Sequence, residues 1–155
     1  MRYQITSDST CDLSPEQLER YNIRLLPLYV SMDGKTLRDG VVNLADYVRA
    51  FTELSEKNDF VIHVCISLDF SCCYQNAKLA AADFDNVYVV DSRNLSTGHG
   101  LVVLEAERMA REGMEPDDIV AALHDLTGRV EASFILDRLD YMKKGGRCSA
   151  VTLLG

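Results

Sequence analysis

Residues 60–67, reading FVIHVCIS, form a nearly continuous apolar run, with His63 inside it and Ser67 at its end. A strand with one wet face would alternate polar and apolar residues. This run does not, so both of its faces must be covered. A central strand of a parallel sheet, with helices packed above and below, meets that demand. Val87 to Val90 repeats the pattern: β-branched and aromatic residues that stop at Asp91-Ser92. From Leu101 the period becomes helical, with Val102, Val103, Ala106, Met109 and Ala110 on one face and Gly113 as the stop.

The rest of the chain keeps the same alternation. A strand begins at Tyr3 and runs into the polar stretch Thr6 to Thr10. Ser14-Pro15-Glu16-Gln17 has the form of a capping box that opens a short helix ending near Asn22. Ile23 to Met32 is β-rich, and Pro27 marks it as an edge; Asp33-Gly34 is a two-residue hairpin signal before Lys35-Thr36-Leu37. Asn43 caps a helix expected to bury Leu44, Tyr47, Val48, Phe51 and Leu54. Tyr74 to Ala82 predicts a helix packed through Ala77, Leu79, Ala80 and Ala81, and Pro116 opens another with Ile119, Leu123 and Leu126 inward. Val130 to Leu136 is expected to return to strand, and Leu139 to Lys144 to form a short helix. The fold class is therefore α/β: a mainly parallel sheet with flanking helices.

A net charge of −8 disfavours general binding to nucleic acid or to anionic lipid. No apolar run reaches the ~18 residues of a membrane span, and Met1-Arg2-Tyr3 leads into a strand rather than a signal peptide. A cytoplasmic protein is expected. Five cysteines without any C-x-x-C point the same way, to free thiols. His63-x-Cys65 offers two metal ligands from one strand face, but no second pair accompanies it in the sequence. A buried Cys beside a satisfied His is the expectation, with no metal and no cofactor.

Three strand ends carry similar cargo: Asp8-Ser9-Thr10, Ser67 to Ser71, and Asp91-Ser92. In parallel neighbours these groups gather at the carboxyl edge of the sheet, where open α/β folds hold ligands. Ser96 and Thr97 would face the same place, and Gly98 and Gly100 allow close backbone approach. Hydroxyls and helix-start N–H groups suit a carboxylate or phosphate, and apolar residues beneath suit an uncharged tail. The competing reading is that Asp and Ser only satisfy turns and caps.

Catalysis has less to stand on. There is no G-x-S-x-G elbow and no P-loop, and Val103 stands where G-x-G-x-x-G needs its third glycine. His99, a single loop histidine, is expected to be solvated. Cys72 and Cys73 fall in a helix's first turn, where the dipole favours a thiolate, although one buried and one exposed thiol is the plainer outcome. Lys143, Lys144 and Arg147 could meet an anionic partner. An enzyme is not expected.

Ser7-Asp8-Ser9-Thr10-Cys11-Asp12-Leu13, Pro27-Leu28, Asp33-Gly34-Lys35 and Arg38-Asp39-Gly40 follow one another here. Tyr74-Gln75-Asn76-Ala77, Asp91-Ser92-Arg93 with Ser96 and Gly98-x-Gly100, then Tyr141, Gly145-Gly146-Arg147 and Ser149 continue the series. In this order the motifs resemble the DegV family of bacterial fatty-acid-binding proteins. The resemblance implies two-domain α/β chains that hold one fatty acid between the domains and deliver it to a separate fatty acid kinase. By that likeness residues 1–127 are a DegV-like N-terminal domain, and 128–155 are the truncated beginning of the second. A long-chain fatty acid is the implied ligand, with Ser67, Ser71, Asp91, Ser92, Ser9 and Arg147 as its site.

The chain also departs from the family. The T-S-Q-P-S stretch, whose threonine binds the carboxylate, has no counterpart. The family's S-S-G-x-S-G-T-Y-Q reads here Ser67-Leu68-Asp69-Phe70-Ser71-Cys72-Cys73-Tyr74-Gln75. Ser67 and Ser71 survive, whereas Asp69 would repel a carboxylate. The alternative is a degenerate or truncated module that acts through protein association, self-association included, without lipid.

Overall fold

The computed structural model describes residues 1–32, 35–38, 42–144 and 146, with backbone alone at 29–32, 35–38 and 141. Four parallel strands form the main sheet: β1 (Tyr3–Asp8), β2 (Arg24–Leu26), β5 (Phe60–Cys65) and β6 (Val87–Asp91), in the order β2-β1-β5-β6. Between β2 and β5 in the chain, β3 (Tyr29–Met32) and β4 (Lys35–Arg38) pair antiparallel as a separate ribbon. Met32 stands opposite Lys35, as a two-residue connection requires; Asp33 and Gly34 themselves lie outside the described residues. Pro27 falls just after the edge strand β2, where its missing N–H breaks no ladder.

β5 is buried at every position, and its side chains split between two cores. Phe60, Ile62 and Val64 face one layer, with helix α1 (Pro15–Arg20), helix α4 (Ser96–Arg111) and helix α5 (Pro116–Thr127) contributing Leu18, Val102, Val103, Ala106, Ile119 and Leu123. Val61 and Cys65 face the other, where helix α2 (Leu44–Ser55) and helix α3 (Cys73–Ala81) bring Tyr47, Phe51, Leu54, Ala77 and Ala80. The lack of alternation in FVIHVCIS is thus the imprint of two helix layers.

The caps form as the residues dictate. Ser14 Oγ accepts from the Gln17 amide at 3.3 Å while Gln17 Oε1 accepts from the Ser14 amide at 2.9 Å, and Asn43 Oδ1 accepts from the Asp46 amide at 3.0 Å. Asn22, which follows α1, sits at φ 49° in the left-handed region that asparagine tolerates. The short helix α6 (Asp140–Lys144) lies where its pattern placed it.

Four local expectations are corrected. Helix α4 starts at Ser96, not Leu101, taking in Thr97, Gly98, His99 and Gly100. Its glycines serve tight packing: a Cβ on Gly100 would lie 2.3 Å from the Cys11 carbonyl oxygen, and one on Gly98 would lie 2.9 Å from the Ala132 Cβ. Leu44 and Val48 are exposed on α2, where Ala50 is buried instead. Leu79 is exposed on α3 because the sheet-facing stripe is made by Ala77, Ala80 and Ala81. Residues 130–136 form no strand; they pair with no described edge, and Phe134, Ile135 and Leu136 are exposed. A strand exists only where a partner supplies its hydrogen bonds, which a side-chain pattern cannot reveal.

Gly100→Ala is expected to lower stability by about 1–3 kcal/mol through overpacking against the residue 11 carbonyl. The gain in helix propensity, about 1 kcal/mol, does not offset this. Urea denaturation checks it: an unchanged midpoint would contradict the close α4 contact.

Candidate functional site

The carboxyl ends of β1, β5 and β6 lie side by side, because the three strands are parallel neighbours. The polar cargo of the sequence does assemble there. What each group bonds to decides how much of it remains available.

Most of it is spent on the protein itself. Asp91 Oδ1 accepts from the Leu68 amide at 3.2 Å and the Arg93 amide at 3.0 Å, so it laces the loop after β6 to the loop after β5. Ser92 Oγ donates to the Asn94 carbonyl at 2.9 Å and accepts from the Asn94 amide at 3.2 Å. The Ser67 amide reaches the Asn94 carbonyl at 2.9 Å, and the Ser92 amide reaches the Cys65 carbonyl at 3.0 Å. Ser71 Oγ accepts from the Cys73 amide at 3.3 Å and donates toward Cys73 Sγ at 3.0 Å. Ser9 Oγ accepts from the Leu28 amide at 3.2 Å, tying β1 to the segment after β2. Ser96 Oγ donates to Asp12, which turns it from any ligand, whereas Thr97 is exposed. The turn-and-cap reading thus accounts for Asp91, Ser92 and Ser71. Arg147 lies outside the described residues.

Ser67 differs. Its Oγ accepts from the Asp69 amide at 3.3 Å, and among the described residues its own O–H has no acceptor. The side chain is nearly buried where β5 gives way to its loop. Asp69 is exposed, so water screens the charge the sequence set beside it. The amides of Phe70 and Ser71 both turn back to the Ser67 carbonyl, at 3.0 and 3.2 Å. The loop therefore offers the Ser67 hydroxyl rather than a nest of free N–H groups.

Beneath the strand ends the core is solid. Val64, Cys65, His63, Val90 and Tyr47 are wholly buried. Space lies in open grooves instead, one of about 200 Å3 between the Leu25-Leu26-Pro27 segment and α2, lined also by Val42 and Arg49. Others reach about 300 Å3, one beside Cys11, Leu13, Gly100 and Leu104 and one beside Tyr74, Val87, Val89 and Val120.

Asp8, one of the polar strand-end residues, and His99, expected to be solvated, are central to this end of the sheet. Asp8, wholly buried, accepts from the Tyr47 hydroxyl at 2.9 Å and the Ile66 amide at 2.8 Å. Burial alone would raise its pKa; neighbouring His63 and the Ile66 amide outweigh that and hold it below the usual carboxylate range. His99 is not solvated but wholly buried. Its Nε2 lies 3.1 Å from the Val64 carbonyl and 3.0 Å from Ser7 Oγ, and its Nδ1 lies 3.4 Å from Thr10 Oγ1. The clue was its helical spacing to Val102 and Val103 across a start misplaced by the glycines. Ser7 beside it is equally buried, so the pair has no access to a substrate. Cys73 is buried and Cys72 exposed; burial, reinforced by Asp8, pushes the Cys73 thiol up rather than toward a thiolate. Cys11, Cys65, Cys72 and Cys73 are free thiols, and Cys148 lies outside the described residues.

These features define an α/β domain whose parallel strands bring their carboxyl ends to one edge, with the Ser67 hydroxyl at its rim. The family model described as "Uncharacterised protein, DegV family" matches residues 2–48 and 41–154, and the chain belongs to the DegV family. A DegV domain-containing protein of Caldanaerobacter subterraneus is 30% identical over 94% of this chain and 60% of its own length. A DegV family protein from Thermus thermophilus, whose structure is described as showing fatty acid binding, superposes with a TM-score of 0.84 at 29% identity, over 98% of this chain and 62% of that one. A stearic acid-binding protein from Eubacterium ventriosum superposes with a TM-score of 0.78 at 29% identity, over 97% of this chain and 63% of that one. The chain therefore spans about 60% of the length of such relatives. No helix among the described residues is long and apolar enough to cross a membrane.

Burial lowers the His99 pKa, so the folded state prefers the neutral ring while the unfolded chain takes up a proton near pH ~6.5. This contribution to stability is present above that pH and is lost as pH falls through the lower folded value. Thermal unfolding across pH 7.5 to 5 should show a falling midpoint, with the slope reduced in His99→Gln. Equal slopes in the two proteins would contradict the assignment.

Proposed function

We propose that this domain binds a long-chain fatty acid and acts as a carrier rather than an enzyme. Ser67 donates its hydroxyl to the acyl carboxylate, with Ser71, Ser9 and the Asp91-Ser92 loop shaping the rim; Arg147 joins them as a site residue on the family likeness alone. The observation that carries the reading is the Ser67 O–H. It stands without an acceptor among the described residues, at the carboxyl end of a buried strand whose backbone fixes its direction. Likeness to fatty-acid-binding relatives over 97–98% of this chain supports it. The tail lies along the open groove beside Leu26, Pro27 and Val42. Residues 1–127 supply the strand ends and 128–155 begin a second, covering unit. Presentation of the bound acid to a fatty acid kinase belongs to the same reading, because a carboxylate at a loop rim stays within reach of a partner.

A second reading has its own support. Phe134, Leu136 and, completely, Ile135 are exposed in succession. Such a patch favours association, either with another protein or with a second copy of the chain. Sedimentation separates the two: association without lipid favours this reading, and a monomer that takes up fatty acid favours the first.

Ser67→Ala removes a hydrogen bond to a charged group, worth about 1.5–3 kcal/mol. Fatty acid affinity should fall by about 10- to 100-fold, since ~1.4 kcal/mol is one decade. Titration of a long-chain fatty acid into both proteins checks this, and equal affinities would place the head group elsewhere.

A further inference from the structure

We propose that Asp8, His63 and Cys65 form a buried site for a divalent transition-metal ion, with zinc as the best fit. His63 and Cys65 are two apart on β5 and therefore share a face, and the register that sets Thr6 opposite His63 brings Asp8 to the same face of β1. All three are wholly buried, and one donor atom from each lies within 4.8 Å of the others. Tetrahedral zinc, with bonds of about 2.0–2.3 Å, spaces its donors roughly 3.3–3.8 Å apart, so the set closes on an ion with movements of about 1 Å or less. An imidazole, a carboxylate and a thiolate suit zinc better than a hard cation such as magnesium.

A second observation points to a ligand. His63 Nε2 is the buried side-chain polar atom that has no hydrogen-bond partner among the described residues. It faces Asp8 Oδ1 at 3.5 Å. That is long for a charge-assisted N–H···O bond, which closes to ~2.7–2.9 Å, and close to the spacing of two donors on one metal ion. The other ring nitrogen is already placed: Nδ1 lies 2.8 Å from Thr6 Oγ1. In the metal-bound form Nδ1–H donates to that hydroxyl and the Nε2 lone pair takes the ion. This is the arrangement of a metal-bound histidine and its supporting acceptor. The Tyr47 hydroxyl and the Ile66 amide hold the carboxylate in turn. The rings of Tyr47 and Phe51 pack on His63 at 5.2 and 5.7 Å and keep the place dry. A dication with one carboxylate, one thiolate and a neutral imidazole carries no net charge, which a dry interior favours. Binding releases the Cys65 proton to solvent and changes no oxidation state.

A site this deep fills as the chain folds, so the test is refolding with metal. The full chain carrying Cys72→Ser and Cys148→Ser keeps only the buried thiols Cys11, Cys65 and Cys73. Unfolded with a chelator and refolded with Co2+, it should retain one ion per chain and show thiolate-to-cobalt charge-transfer absorption. Cys65→Ala should lose that absorption, and Cys11→Ala should keep it. Thr6→Val should keep the absorption but weaken Co2+ binding by about 10- to 100-fold. No Co2+ uptake, or absorption that survives Cys65→Ala, overturns the proposal. Should Cys65→Ala fail to fold by circular dichroism, Thr6→Val decides, and unchanged affinity there overturns it. None of these readouts depends on fatty acid binding.

Discussion

The carboxyl end of this sheet is organised by one buried carboxylate. Asp8 closes β1, and its two oxygens reach the Tyr47 hydroxyl on α2 and the Ile66 amide just beyond β5. A wholly buried charge is costly unless such partners are supplied, and removing one of them exposes the full cost of the other. Those bonds therefore fix where α2 sits over the sheet and where β5 ends. The start of the Ser67 loop, and with it the candidate rim, inherits that position.

From there outward the polar groups serve the fold first. Asp91 joins two loops, Ser92 and Asn94 close a turn, and Ser71 supports the start of α3. This lacing makes the rim rigid and leaves few donors for a ligand, with Ser67 the clearest among the described residues. A neutral donor on a fixed backbone suits a carboxylate held without chemistry. Among the described residues Ser7 and His99 are sealed in the core, and the Cys73 thiol is pushed up by burial.

Much of this was legible in the sequence. The two-sided burial of FVIHVCIS, the capping box at Ser14, the cap at Asn43 and the parallel neighbours β1, β5 and β6 follow from side-chain period and hydrogen-bonding chemistry. The misses share a cause, in that long-range contacts override local pattern. Gly98 and Gly100 read as loop but sit inside α4, because helix and backbone must touch at Cys11. His99 read as solvated but is buried, a consequence of the same displaced helix start. Val130 to Leu136 had strand composition without a described edge to pair with. The Asp8–His63 contact joins residues far apart in the chain, and only the register of β1 on β5 brings that carboxylate beside the His63-x-Cys65 pair.

Membership of the DegV family and a Ser67 O–H without an acceptor among the described residues lead to one claim, that a fatty acid is held at the rim of this sheet. Native mass spectrometry of the purified chain, before and after delipidation and re-addition of a long-chain fatty acid, tests it most directly. The account predicts a single added mass of one fatty acid per chain, lost on delipidation and restored on re-addition. A bare chain in every state, at fatty acid concentrations that saturate the relatives, would contradict it.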